Sequence, residues 1–282
     1  MIFRLVSYLP LRVMYLISDL LFVAAFYVVR YRYQVVEENI QKAFPEKDRA
    51  EQKRIIRLFY RNLCDFMMES LKGMTISDRE INRRVIITEK QAIEQYFERG
   101  QSVLILTTHQ FNWEWLLFAC CLQLSAPMNP VYKKLNNNYY DRLMIKTRSR
   151  FGSKPIEMQE TLMEIMRRKK TLNGFGLVAD QIPLVNAEKY WTTFLNLDTA
   201  FFVGPEKIAQ MTKYPVVFAG MRKLRRGQYE VYFRDIAEPP YKKHSHEILD
   251  RYVVEAEKIL REQPESWLWS HRRWKYKKSF YE

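Results

Sequence analysis

The stretch from Val103 to Glu114 constrains the fold more than any other part of this chain. Val103-Leu104-Ile105-Leu106 is a short apolar run with the length of a buried strand. Thr107-Thr108 follow, then His109-Gln110-Phe111-Asn112-Trp113-Glu114, and the residues up to about Leu124 read as an amphipathic helix. A strand handing over to a helix is the unit of an α/β fold, and ligands collect at the carboxyl ends of such strands. An imidazole oriented by a carboxylate can take a proton from a hydroxyl at neutral pH, which attack on an acyl carbonyl requires. His109 and Glu114 would point apart in one continuous helix, where each step turns about 100°. They converge only if His109 lies in the loop and Glu114 in the first helical turn, with Asn112 as the cap. The alternative is a loop histidine beside an unrelated surface glutamate.

The same rhythm runs through the rest of the chain. Helices are expected over Tyr33 to Phe44 and Asp48 to Lys72, divided by Pro45 and stopped by Gly73. Ile55, Ile56, Phe59, Leu63, Phe66, Met67 and Leu71 recur at helical spacing, the mark of a core-facing stripe. Asp78 to Thr88 reads as a polar connector and Glu89 to Arg99 as a short helix. Beyond the 103–124 unit, strands are expected at Pro130 to Tyr132, Gly176 to Ala179, Pro215 to Met221 and Tyr229 to Arg234. Helices are expected at Tyr139 to Phe151, Met158 to Lys170, Pro205 to Met211 and Ser245 to Glu262, with a loop over Val185 to Gly204. The alternation predicts an α/β fold: a mixed, mostly parallel sheet flanked by helices. At 282 residues, one large α/β domain over 33–282 is expected after an N-terminal segment, 1–32.

That N-terminal segment is apolar from about Val13 to Val29, broken by Ser18 and Asp19 and flanked by Arg4, Arg12, Arg30 and Arg32. It is close to the roughly 17-residue minimum for a membrane span. Asp19 would cost about 2.5–3.5 kcal/mol at the bilayer centre. No small-residue cleavage site follows, so a removable signal peptide is not expected. The basic flanks and Tyr15, Phe22, Phe26 and Tyr27 favour a membrane-anchoring helix, spanning or interfacial, over a buried core helix.

Charge narrows the partners. Lys and Arg number 46 against 32 acidic residues, a formal net charge of +14, which favours anionic partners. With 8 glycines and no glycine-rich phosphate cradle, a P-loop or dinucleotide fingerprint is unsupported. Cys64, Cys120 and Cys121 form no zinc pattern and fit buried thiols. No metal or cofactor is expected. Further polar groups lie near expected strand ends. Tyr132-Lys133-Lys134 and Arg148-Ser149-Arg150 could surround an anionic group such as a phosphate, or form a solvated basic face. Asp180-Gln181 ends a strand, where Asp180 could fix a basic partner, bind a substrate hydroxyl or cap a turn. The run Pro264-Glu265-Ser266-Trp267-Leu268-Trp269-Ser270-His271-Arg272-Arg273-Trp274-Lys275 interleaves indoles and cations, suited to cation–π pairs, a lipid headgroup layer or a nucleic-acid surface.

Together these pieces resemble the bacterial lipid A biosynthesis acyltransferases, the lauroyl/myristoyl branch of the lysophospholipid acyltransferase superfamily. His109-Gln110-Phe111-Asn112-Trp113-Glu114 is similar to that family's His-x4-acid signature. Asn39-Ile40, Ala43-Phe44-Pro45, Val131-Tyr132-Lys133, Arg148-Ser149-Arg150, Asp180-Gln181 and Phe201-Phe202-Val203-Gly204 resemble its further segments in order, and Trp267 to Lys275 its carboxyl-terminal signature. Gln110 stands where a small residue is usual, and Lys133 where arginine is common. The resemblance implies direct transfer of a fatty acyl chain from an acyl carrier protein thioester to a hydroxyl of a lipid A precursor, at the cytoplasmic face of the cell inner membrane. It implies His109 as general base and Glu114 as its orienting carboxylate. Lys133, Arg148 and Arg150 would hold acceptor phosphates, with Asp180 organising them. Two other readings stay open: a lysophospholipid or aminolipid as acceptor, and a non-catalytic basic membrane-binding protein. Nucleic acid is not an expected partner, since no recognised motif supports it.

Overall fold

The computed structural model describes residues 2–242, 245–276 and 278. Helix α1 (Ile2–Ser7) leads into α2 (Leu11–Val23), which continues as a π-helical turn over Ala24–Val28. Helices α3 (Tyr33–Ala43) and α4 (Arg49–Lys72) follow. Helix α4 starts where Asp48 accepts from the Glu51 amide at 2.8 Å and stops at Gly73. Of its expected core-facing stripe, Ile55, Ile56 and Phe59 are buried, Leu63, Phe66 and Leu71 are half-buried, and Met67 is exposed.

The stretch expected to be a polar connector is instead helix α5 (Asp78–Arg84) and strand β1 (Val85–Ile87). Ser77 caps that helix by accepting from the Glu80 amide, and Val85-Ile86-Ile87 then pair with the far edge of the sheet. Helix α6 (Gln91–Glu98), strand β2 (Val103–Thr107), helix α7 (Trp113–Gln123) and strand β3 (Met128–Tyr132) come next. Helix α7 is not amphipathic: Trp115, Leu116, Phe118, Ala119 and Cys120 are all buried, so it sits inside the fold rather than on its surface. Helix α8 (Asn138–Arg148) extends into a 3₁₀ turn, then β4 (Ile156–Glu157), α9 (Thr161–Arg167) and β5 (Gly174–Val178). The stretch expected to be a loop carries an antiparallel hairpin, β6 (Lys189–Phe194) and β7 (Leu197–Phe202). Helix α10 (Gly204–Thr212), strands β8 (Val216–Arg225) and β9 (Gln228–Ala237) and helix α11 (Glu247–Glu262) complete the order.

Seven strands form one sheet in the order β1-β9-β8-β2-β5-β3-β4, and β8–β9 is its antiparallel pair. The mixed, mostly parallel sheet flanked by helices is as expected. Alternate residues of β2 serve opposite faces, as a strand buried on both sides demands. Leu104 and Leu106 join the core beneath α3, α4 and α11, while Val103 and Ile105 join the core beneath α6 and α7. Gly227 turns the β8–β9 hairpin at φ +68°, and a Cβ there would run into the Tyr15 hydroxyl of α2. The N-terminal helix thus packs closely on the sheet's hairpin.

Candidate active site

Strand register assembles the site. Strands β2 and β5 are parallel neighbours, with Thr107 opposite Val178. Two residues past each strand end stand His109 and Asp180. Nδ1 of His109 lies 2.7 Å from Oδ1 of Asp180, and the His109 backbone amide donates to Oδ2 at 3.0 Å. The Trp267 indole also donates to Oδ2. Asp180 is 1% exposed and the His109 side chain 18%. Burial alone would raise the Asp180 carboxyl. The neighbouring His109 charge and the hydrogen bonds from His109 and Trp267 outweigh that and hold it at about 2. Asp180 is therefore a carboxylate, and it fixes the imidazole with Nε2 turned to the opposite side. There Gln181 Nε2 stands 3.4 Å away and the Trp113 ring meets the imidazole edge-on at 4.9 Å. The groove beside the ring is lined by Phe59, Leu63 and Phe66 of α4 together with Trp113 and Leu268.

Glu114 does not carry the hydrogen bond to His109; the expected pairing is corrected by the geometry. Glu114 lies in the first turn of α7, as expected, but its two oxygens accept from Arg148 Nη2 at 2.6 Å and Nε at 2.9 Å. Such a bidentate pair is stronger than neutral hydrogen bonds. Burial would lower the Arg148 pKa, yet the Glu114 contacts win and raise it. The rival turn-cap and surface-glutamate readings fail with it: Asp180 holds a ring nitrogen, and Glu114 is buried.

The other expected cations separate. Arg150 donates to the Gly73 and Ile76 carbonyls at 2.6 and 2.7 Å, so its guanidinium closes the end of α4. Lys133 is exposed one residue past β3, on the same sheet edge as His109 and Asp180. The carboxyl-terminal indoles form no surface layer: Trp267 and Trp269 are buried, as is Arg273, whose guanidinium lies 4.8 Å from the Phe201 ring centroid. This run staples the His109 loop instead. The Phe111 amide donates to the Ser266 carbonyl at 2.9 Å, and Gln110 donates to the Ser266 hydroxyl at 3.2 Å. Asn39 holds the run from the other side through the Trp269 and His271 carbonyls. The staple supports Phe111, which adopts φ +39°, a strained value for a bulky residue.

One supporting residue escaped the sequence reading. Glu69 of α4 is fully buried and accepts from Asn112 at 2.9 Å, Tyr15 at 2.7 Å and Tyr229 at 2.8 Å. Asn112 in turn caps α7 by accepting from the Trp115 amide at 3.0 Å. Glu69 thereby anchors the turn that carries His109. Its only sequence signal was an acidic residue inside an otherwise core-facing stretch. Among the described residues, no group of three or more His, Cys, Asp or Glu side chains could hold a metal ion.

A buried carboxylate that holds an imidazole at the carboxyl edge of an α/β sheet is an arrangement able to move a proton, as acyl transfer requires. Residues 1–276 match the family described as bacterial lipid A biosynthesis acyltransferase, and the chain belongs to that family. It is an acyltransferase by that membership. No curated protein matches the chain significantly. The family and the apolar N-terminal helix, Leu11–Val28, together point to membrane association.

Proposed function

We propose that the protein transfers a fatty acyl chain from an acyl carrier protein thioester to a hydroxyl of a lipid A precursor, at the cytoplasmic face of the inner membrane. The observation that carries this reading is the 2.7 Å contact between His109 Nδ1 and Asp180. With Nδ1–H donated to the carboxylate, Nε2 is the basic nitrogen, and the ring that carries it lines the groove. His109 takes the proton of the acceptor hydroxyl as its oxygen attacks the thioester carbonyl. Asp180 stabilises the imidazolium that forms. Collapse of the tetrahedral intermediate breaks the carbon–sulfur bond, and His109 returns the proton to the leaving thiolate. The products are the acylated lipid and the free carrier thiol.

Glu114 belongs to this site through Arg148. By gripping both donors on one side of the guanidinium, it fixes a cation one helix away from the base. Arg148 and Lys133 supply positive charge for the acceptor phosphates, and Arg150 holds the Arg148 turn against the end of α4. The net charge of +14 favours encounter with an acidic carrier protein. Acceptors of the lysophospholipid or aminolipid kind use the same chemistry and differ in what the cations meet.

The test is transfer from labelled acyl carrier protein to a panel of lipid A precursor, lysophospholipid and lyso-aminolipid, with purified protein in detergent. Transfer to the lipid A precursor that His109→Ala lowers by roughly 10³-fold is the expected outcome. Turnover that His109→Ala leaves undiminished removes the base. Preference for another acceptor moves the assignment to that lipid.

A further inference from the structure

The N-terminal helix is tied to the globular body at both ends and in the middle, along the length of α4. At one end, Lys72 Nζ donates to the Ser7 and Leu9 carbonyls at 3.0 and 2.9 Å. At the other, the Tyr60 hydroxyl donates to the Tyr31 carbonyl. Between them Tyr15 donates to Glu69 and Ser18 to Asp65, each at 2.7 Å. Arg226, on the β8–β9 turn, grips Asp19 at 2.8 Å and Asp65 at 2.6 Å. The helix therefore runs alongside α4, and neither can change its depth in a bilayer without the other.

That coupling decides how the apolar segment meets lipid. Leu11–Val28 is 18 residues, about 27 Å long, nearly the hydrocarbon thickness. Standing upright, it would carry Arg61, Asp65, Glu69, Lys72 and Arg226 into the bilayer core, each a costly guest there. Lying flat, it buries none of them. Its faces agree: Leu11, Met14, Ser18 and Phe22 point into the protein, while Val13, Leu16, Leu20 and Val23 point out. Leu16 and Leu20 are 65% and 71% exposed. Tyr27, Val28 and Val29 extend this stripe, and exposed Arg12, Arg30 and Arg32 flank it.

Resting on the membrane association of the proposed function, we infer that this helix lies in the plane of one leaflet and docks the enzyme on an anionic bilayer without crossing it. The apolar stripe enters the acyl layer and the arginines meet acidic headgroups. Phe59, Leu63 and Phe66 on another side of α4 line the groove beside His109. A lipid acceptor so reaches the base sideways, with its chains still in the membrane.

Depth measurement tests this. Spin labels are placed singly by Val13→Cys, Leu16→Cys, Leu20→Cys and Tyr27→Cys in the full chain, on vesicles of phosphatidylethanolamine and phosphatidylglycerol. Signal from unsubstituted protein, in which Cys64 and Cys120 are buried and Cys121 is half-buried, is subtracted. The four labels should report similar depths. A spanning helix would instead spread Val13 and Tyr27 by about 21 Å, fourteen residues at 1.5 Å each, and that result overturns the inference. Failure to bind vesicles overturns it as well. Arg12→Glu with Arg30→Glu should weaken binding at least about tenfold on phosphatidylglycerol vesicles and much less on neutral ones. Equal loss on both would remove the anionic-surface claim. None of these readouts needs turnover, so an absence of acyl transfer leaves the docking standing, and labels at staggered depth leave the chemistry standing.

Discussion

Asp180 and Glu69 are both carboxylates sunk in the fold, and what surrounds each differs. Glu69 faces neutral donors from three elements, Tyr15, Asn112 and Tyr229, and burial raises its pKa. Asp180 faces the His109 imidazole, which lines a groove, and its pKa is driven down. A carboxylate enclosed by fixed donors can only hold architecture. A carboxylate beside a titratable ring that reaches substrate can assist proton transfer. Burial by itself says nothing about which task a group has; its partners do.

The largest effects are expected at the sheet edge. Removing the base by His109→Ala should lower kcat by roughly 10³-fold, within the range of general base catalysis. Asp180→Asn keeps the shape but removes the charge that stabilises the imidazolium, and should cost roughly 10²–10³-fold with little change in KM. Steady-state kinetics on folded protein checks both. If Asp180→Asn were as active as wild type while Glu114→Gln were dead, the partner of His109 would have to be Glu114 in the substrate complex. The contrast then reverses at Glu69: Glu69→Ala should lower stability by about 2–4 kcal/mol, since it leaves two buried hydroxyls and an amide without their acceptor. Denaturant unfolding measures that loss, and an unchanged midpoint would show that the three donors find other partners.

Much of the fold was legible because its strongest elements have strong local signals. The run Val103 to Leu106 and the stripe along α4 are such cases. The hairpin β6–β7 was not, for a physical reason. Its turn places Leu195 and Asn196 at φ +50° and +64°, so the usual glycine mark of a two-residue hairpin is missing. Packing supplies what local preference withholds: Leu195 is buried and its amide donates to Glu257 at 2.9 Å. Helix α5 was hidden by its charged residues, although Ser77 and Glu80 mark its start.

The site was legible in its members and not in its pairing. His109 and Asp180 both stood out as polar residues after strands, yet 71 positions separate them. Only the sheet order, which makes β2 and β5 neighbours, brings them together. Glu114 was the nearer acid in sequence, and helix geometry gave it to Arg148 instead. Glu114→Gln should cost about 1–2 kcal/mol by weakening this partly exposed pair, with a smaller rate effect than Asp180→Asn. Thermal unfolding and kcat measured on the same preparation separate the two consequences.

The smallest expected effect is on acid stability, and it sets a third buried group against Asp180. Burial first, and then the charge of Arg273, pushes His271 down to about 4, below the ordinary value near 6.5. Between those values the unfolded chain binds a proton that the folded chain refuses. Stability contributed by neutral His271 is therefore complete above about pH 6.5 and falls as pH drops toward 4. At pH 5 the difference amounts to about 2 kcal/mol at 1.36 kcal/mol per pH unit, and screening at this half-buried ring reduces it to about 1 kcal/mol. Asp180 acts in a lower window: its contribution is present above the ordinary carboxyl value and disappears as pH falls through about 2. Denaturant midpoints at pH 7 and pH 5 should thus converge in His271→Gln relative to wild type, while Asp180→Asn leaves the His271-dependent loss in place. A wild-type midpoint that does not move between pH 7 and pH 5 would mean that His271 takes up its proton in the folded protein as readily as in the unfolded chain.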